Sequence, residues 1–301
     1  MALHDVRTDP ETTTRTPRPA PRPPAAPIRR RRERNRIAFA ILVLVALLVT
    51  APFVELLISA LTPGSEIGAD RWLPSMFRWA NISDAIDYIP YWDLTRNSVF
   101  LATLSGVLTT FSSAITGYGF ARMRGPGKKF LFGVLIMTMM VPPIVTLIPT
   151  YLLFSRYGLV GTYLPWVFWG AAGTPYTIFL YRQFFSSMPK ELEEAAIIDG
   201  AGRIRIFVQI FLPLSRPLLV TAFVLAFNAV WGDFVAPDLF LNSSNTTLAV
   251  GVSSGYTNQA GYPLYNLLAS GAMLYVIPVV LLFLFAQRSY VRGFANSGLK
   301  G

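Results

Sequence analysis

The chain has no cysteine and a single histidine, His4. The first absence excludes disulfides, thiolate metal sites and a cysteine nucleophile, and it leaves the redox compartment open. His4 sits in a polar tail with no second imidazole, so neither a histidine metal cluster nor a serine–histidine triad is expected within this chain. Charge is scarce as well: 14% of residues are charged and 53% are hydrophobic, with a mean hydropathy of +0.46. A soluble domain needs a charged shell that this composition cannot supply, so the chain reads as a membrane protein.

The charge that is present leans one way. Lys and Arg total 26 against 16 acids, a net charge of +10. Such a balance suits nucleic-acid binding or basic cytoplasmic loops, and position decides between them. Residues 1–36 are rich in Thr, Pro and Arg with almost nothing apolar to bury, and are expected to be a disordered cytoplasmic tail. Its Arg29 to Arg36 cluster is placed to fix topology and touch anionic lipid. From Ile37 to Leu61 the chain is apolar for long enough to cross a ~30 Å hydrocarbon core, well beyond the ~7–15 residue core of a signal peptide. Four more uncharged stretches have spanning length: Asn97–Phe120, Leu131–Leu153, Tyr157–Tyr181 and Leu264–Ala286. A further run, Pro217–Pro237, is interrupted only by Asp233. Six spans place both termini on one side. The loops on that side carry Arg122, Arg124, Lys128 and Lys129, then Lys190, Arg203, Arg205 and Arg216, then Arg288, Arg292 and Lys300. The opposite loops are poor in such residues, with Arg71 and Arg78 in 62–95 and Arg156 in the short third-to-fourth connection, so both termini are expected to be cytoplasmic and the basic excess to be topological, with no nucleic acid bound.

Several short patterns carry no chemistry. Gly251-Val-Ser-Ser-Gly255 matches a nucleophile elbow but lies in an external loop without strand–turn–helix context or a histidine base. Gly125-Pro-Gly-Lys-Lys129 lacks the upstream glycine and the following Ser/Thr of a phosphate-binding loop, so ATP binding by this chain is not expected. The sequons at Asn81, Asn242 and Asn245 are read as marking exposed loops.

The segment Ser186 to Pro217, SSMPKELEEAAIIDGAGRIRIFVQIFLPLSRP, is unlike a plain connection between spans. Ser186 or Ser187 can cap a helix, Pro189 fits its first turn, and Glu191, Glu193 and Glu194 suit its positive end. Leu192, Ala195 and Ala196 form a small apolar face, and Gly200 and Gly202 break the helix before a second apolar stretch, Ile204 to Leu212, that stops at Pro213. Two helices around a glycine turn, showing small residues and a carboxylate, suit a groove in another protein.

Glu194-Ala195-Ala196, Asp199-Gly200-Ala201, Leu212-Pro213 and Pro217 together resemble the EAA loop of permease subunits of binding-protein-dependent ABC importers. The resemblance runs from residue 37 onward and is nearest the smaller, maltose-permease-like subunit of the carbohydrate branch. Leu147–Tyr151 with Tyr157–Thr162, Asn228–Pro237 followed by Thr247–Gly251, and the ending Gln287–Gly293 with Lys300-Gly301 support that branch. Ala249 stands where the branch more usually has proline, and the N-terminal extension has no counterpart. The resemblance implies an all-α, six-span, type I importer permease in the bacterial cytoplasmic membrane, moving a sugar or sugar-like solute. It implies a coupling loop over 186–216 in which Glu194, Ala195, Ala196, Asp199, Gly200, Leu212 and Pro213 dock in an ATPase cleft, Glu194 pairing with a basic side chain there. It implies a second homologous permease, two ATPase subunits that bind the ATP and Mg, and an extracytoplasmic solute-binding protein. No cofactor or metal is assigned to this chain, and no catalytic residue.

Pro142, Pro143, Pro149, Pro175 and Pro278 remove backbone hydrogen bonds at membrane depth, where such breaks face protein or a water-filled path. Asn228, Trp231 and Asp233 lie in the helix expected to line the interface with the second permease and are candidates for the solute pathway; Asp233 equally suits a local cap and Trp231 an interfacial anchor. The competing readings are an importer for a phosphate ester, peptide or amino acid, an intramembrane enzyme, for which no cluster of nucleophile, base or metal ligands is visible, and a channel, for which the only acids in the spans are Glu55 and Asp233.

Overall fold

The computed structural model describes residues 28–297, with side chains over 36–287. Residues 1–27 and 298–301, which include His4, most of the polar tail and Lys300-Gly301, lie outside the described residues. The backbone falls into two units, divided at Pro52. Helix α1 covers Ile28–Leu61. It begins inside the stretch expected to lack structure, because no proline falls between Ile28 and Ala51 and arginine is a good helix former.

In the unit from Phe53, α2 (Ala80–Tyr88), α3 (Tyr91–Arg122), α4 (Lys128–Thr138), α5 (Pro143–Arg156), α6 (Leu164–Ala172) and α7 (Pro175–Ser187) are followed by the short helices α8 (Glu191–Ile198), α9 (Arg203–Ile206) and α10 (Leu212–Leu214). Then come α11 (Arg216–Trp231), α12 (Val235–Phe240), α13 (Leu248–Ser254) and α14 (Tyr265–Ser297). Among the described residues the chain forms no strand, only an isolated bridge between Thr257 and Pro263. Three helices are long and apolar enough to cross a membrane, Arg36–Leu61, Tyr91–Arg122 and Tyr265–Gln287. Two bent pairs also qualify, α4 with α5 at 100° and Arg203–Leu214 with α11 at 80°.

Three expected continuous spans are therefore broken. The stretch 131–153 turns between Thr138 and Pro143, since Pro143 lacks an N–H and Pro142 cannot take the helical conformation ahead of it; Pro142 sits extended as the cap of α5. The stretch 157–181 starts as a turn, with Gly158 at φ 67 and Gly161 at φ 84, values that a right-handed helix cannot contain. That turn is tied to the end of α12 and to the loop before α13: Gly161 N–H donates to Phe240 O (2.7 Å) and Asn245 Nδ2 to Gly161 O (2.7 Å). The same stretch breaks again at Gly173 (φ 73), so that Pro175 starts a helix and interrupts none. Here α3 supplies what the broken helix loses: Ser112 Oγ donates to Gly170 O (2.7 Å) and Thr174 N–H donates to Ser113 Oγ (3.3 Å). Side-chain hydroxyls of a neighbouring helix re-satisfy the freed backbone, which hydrocarbon could not. The stretch 217–237 stops at Trp231 and resumes as α12.

Helix α3 is the spine, packed against α11, α7 and α6. Its contact face is small and polar: Ser98, Ser105, Gly106, Thr109, Thr110, Ser113, Ala114 and Gly117 are all buried. Small residues let backbones approach closely where no water drives association. Around this spine lie three cores. One, near the start of α3, joins α2, α11, α13 and α14 through Tyr91, Leu94, Phe227, Trp231 and Tyr256. A second gathers Tyr151, Phe154, Trp166 and Trp169 around the fully buried Phe240. The third lies at the other end of α3 and holds Tyr118, Tyr181, Phe185, Ala196, Ile206 and Phe211.

The sequon residue Asn81 is no loop marker. It is fully buried in α2, donating Nδ2 to Ala60 O (2.9 Å) and Thr62 O (2.8 Å) and accepting from Asn266 Nδ2 (3.3 Å). Replacing it with leucine leaves Thr62 O and the Asn266 amide without these partners, while Ala60 O keeps Ser270 Oγ (2.9 Å), at about 1–3 kcal/mol for each unsatisfied group. Asn81→Leu is expected to melt several degrees below the native protein in detergent; an unchanged Tm would show the network to be dispensable.

Candidate functional site

The segment between α7 and α11 folds as a short helix, a turn and a second helical run. Helix α8 does not use a serine cap or place Pro189 in its first turn: its cap is Lys190, with no side-chain cap bond, and Ser187 Oγ donates to Phe184 O instead, closing α7. The start is set by charge, because Glu191, Glu193 and Glu194 fill the first turn and complement its free N–H groups. Asp199 is the C-cap and Gly200, at φ 77, makes the left-handed exit. Ala201 N–H donates to Ala196 O (2.9 Å) and Gly200 N–H to Ile197 O (3.0 Å), the paired bonds of a glycine-ended helix. Helix α9 then runs into a π-helical turn, Phe207–Phe211, and on into α10, with Pro213 in its first turn. Such wide turns are rare and cluster at functional sites.

This hairpin has two faces. The expected apolar face of Leu192, Ala195 and Ala196 is split between them. Ala196 is buried against the core of Tyr118, Phe185, Ile206 and Phe211, whereas Leu192, Ala195 and Glu194 point away from it. Ile198 is 85% and Ile204 82% exposed. Beside them an open concavity of about 700 Å³ is lined by Gly202, Arg203, Ile204, Arg205, Val208 and Gln209. Asp199 and Gly200 are exposed, Leu212 is half-buried against the same core, and Pro213 is exposed. Ile198 and Ile204 thus stand as free apolar side chains beside the exposed Glu194.

Adjacent acids do different work. Glu193 Oε2 lies 3.7 Å from Arg122 NH1, both side chains largely covered, while Glu194 is exposed and forms no ion pair among the described residues. Arg122 was legible in the sequence only as one more basic residue at the end of a span. In the structure its Nε and NH2 donate to Phe185 O (3.0 and 2.7 Å), NH2 also donates to Met188 O, and the guanidinium lies 4.9 Å from the centre of the Phe211 ring. No spacing rule marks such a residue, since its partners are mostly backbone carbonyls far along the chain.

The pathway candidates do not form one group. Trp231 is 2% exposed and stacks on Phe227 and Tyr275, its indole N–H donating to Tyr275 O (3.3 Å), so in this structure its ring is packed between α11 and α14. Asp233 sits in the break after α11 and accepts from Val235 N–H (2.9 Å) and Ala236 N–H (3.2 Å), capping α12. Asn228 is half-buried, with its Oδ1 enclosed and without a hydrogen-bond partner among the described residues. The elbow-like Gly251–Gly255 run lies along α13, where a side chain at Gly251 would collide with Leu94; the glycines there serve packing. Among the described residues no group of His, Asp or Glu could hold a metal ion.

The chain resembles known proteins over most of its length. It is 32% identical over 263 residues to the probable ABC transporter permease protein YurM of Bacillus subtilis, covering 85% of each chain. It is 30% identical to the melibiose/raffinose/stachyose import permease protein MelC of the same organism, over 83% of this chain and 91% of that one. It is also 30% identical to the maltodextrin transport system permease protein MdxG of Bacillus subtilis, over 85% and 93%. The fold matches, with a TM-score of 0.76 and 21% identity, a chain in the crystal structure of a bacterial ABC transporter involved in the import of the acidic polysaccharide alginate, covering 88% of this chain and 99% of that one. Residues 106–296 match the family described as binding-protein-dependent transport system inner membrane component, and the chain, a mostly helical multi-pass membrane protein, belongs to that family.

Proposed function

We propose that this chain is the permease subunit of an ABC importer that takes up a sugar or sugar-like solute, and that the hairpin over 186–216 is where separate ATPase subunits drive it. The observation that carries the coupling role is the two-faced hairpin: Ala196 roots it in the core at the end of α3, while Glu194, Ile198 and Ile204 are offered outward. The sugar class is supported by relatives whose names specify melibiose, maltodextrin and lactose transport. In this reading the chain crosses a bacterial cytoplasmic membrane six times, α6 and α7 together making the fourth crossing, with both termini and the hairpin in the cytoplasm. Two ATPases bind the ATP and Mg, a second permease pairs with this one, and an extracytoplasmic binding protein delivers solute. The bent, largely uncovered pair α4 and α5, with Met140, Ile144 and Ile148 exposed, is available to the second permease or to lipid. Closure of the ATPases moves α8, and with it the helices it is rooted in, from an outward-open to an inward-open arrangement. Asn228, whose enclosed Oδ1 needs a donor, faces the path in one of the two arrangements.

The test is ATP-dependent uptake into vesicles that contain the chain with its companion permease, ATPases and binding protein. Labelled oligosaccharide is expected to accumulate, with no accumulation of phosphate ester, dipeptide or amino acid. Uptake of one of those in place of sugar would overturn the substrate class and leave the coupling role standing.

A further inference from the structure

The end of α7, α8 and the π-helical turn converge on one side chain of the spine. Arg122 closes α3, and its guanidinium binds the last turn of α7 through Phe185 O, the link to α8 through Met188 O, α8 itself through Glu193, and the π-helical turn through the face of Phe211. The Arg122 side chain is 7% exposed, so these are contacts in a covered site, where a charged group is costly unless fully paired. The fork geometry of a guanidinium, with donors in one plane, serves several acceptors at once in a way an ammonium cannot. The rest of the end core, Tyr118, Phe207 and Phe211, is aromatic and apolar and supplies packing without direction. A charge held by directed bonds resists sliding, whereas stacked rings permit it.

We propose that Arg122 is the positioning residue through which displacement of the coupling hairpin is transmitted to α3, locking α8, the end of α7 and the π-helical turn to the spine as one body. The proposal rests on the coupling role assigned to the hairpin. It implies that loss of the guanidinium leaves ATPases bound and hydrolysing while the membrane helices no longer follow them.

The assembled transporter in vesicles provides the test, with solute uptake and ATP hydrolysis measured together. Arg122→Met keeps the length and apolar bulk of the stem. It is expected to retain its ATPases and to lower solute taken up per ATP hydrolysed by about 10-fold or more, the scale of an allosteric coupling, with Arg122→Lys recovering part of the ratio. An unchanged ratio in Arg122→Met overturns the assignment. If Arg122→Met does not assemble, a distance decides. The chain has no cysteine, so Lys190→Cys with Arg124→Cys places one spin label on the cap of α8 and one just beyond α3, in a chain that keeps Arg122, assembled with cysteine-free partners. The label separation is expected to be the same with and without trapped ATP; a change of several ångströms means that hairpin and spine move independently and the assignment falls. Glu194→Lys in the same vesicles tests the coupling role itself. If it keeps its ATPases and transports normally, the hairpin is not the coupling element and both readings fail. If it loses its ATPases while Arg122→Met keeps the native ratio, only the role of Arg122 fails.

Discussion

Glu194→Lys is expected to release the ATPase subunits and abolish ATP-dependent uptake while the permease pair still assembles. Glu194 is exposed at the first turn of α8 and has no ion-pair partner among the described residues, so nothing inside the chain needs its charge. Its neighbour Glu193 is turned inward on Arg122, and reversal there would disturb the fold. The two positions therefore separate docking from structure. A carboxylate seated against a basic side chain in a desolvated cleft, replaced by an ammonium, typically costs 2–5 kcal/mol or more, about 30-fold to several thousand-fold in association. Reversal also places a cation among the free N–H groups of the first turn, which weakens α8 by a further ~0.3–1 kcal/mol. Co-purification of the ATPases with the tagged chain, run beside uptake, checks both parts. Full retention of ATPases with normal uptake would show that the outward face of α8 is not the docking surface.

The hairpin over 186–216 was the most legible part of the chain, because its signals are local. Three acids in one turn, a glycine exit and a proline in the next helix act within a few residues of where they stand, and the structure has a helix, a left-handed glycine and a second helical run there. The start of α8 was misplaced because two serines ahead of Pro189 look like caps, and only the end of α7 reveals that Ser187 already serves Phe184 O. The spans were less legible as continuous helices. Hydropathy counts apolar residues and is blind to conformation, so 157–181 passed as one helix although Gly158, Gly161 and Gly173 take positive φ. A glycine states its permission in the sequence but not its use; the use depends on Ser112 and Ser113 of α3 being close enough to take over the freed backbone groups. Buried polar side chains were missed for the same reason. Asn81 binds carbonyls at the end of α1 and the amide of Asn266, and Arg122 binds carbonyls in and just beyond the last turn of α7. Partners so distant in sequence leave no periodicity to read, whereas an amide in a sequon and an arginine after an apolar run each have an easy local explanation.

Close approach of α3 and α7 sets up the second large effect. At Gly117 an added Cβ would lie 2.5 Å from Tyr181 Cβ, 3.1 Å from Arg182 N and 3.1 Å from Ile178 O. Two of those atoms belong to backbone and the third is fixed by a fully buried ring, so the contact cannot be relieved by turning a flexible side chain. Even alanine forces the helices apart, and insertion of extra carbons into a packed interface costs about 1–3 kcal/mol or more. Leucine adds its whole side chain to the same place. Separation there would also draw Arg122, little more than a turn further along α3, away from Phe185 O at the end of α7, so assembly and coupling should fail together. Gly117→Leu is expected to leave little folded protein in the membrane, and Gly117→Ala a protein that melts several degrees early. Gly133 on α4 has nothing within 4 Å of its added Cβ, and alanine there is expected to be neutral or to stabilise by about 0.5–1 kcal/mol, because glycine is a poor helix former. Membrane abundance and thermal unfolding of the three variants in detergent distinguish steric contact from a general intolerance of glycine replacement. A Gly117→Leu protein with native abundance and Tm would mean that α3 and α7 are not held at the distance on which the coupling of hairpin to spine depends.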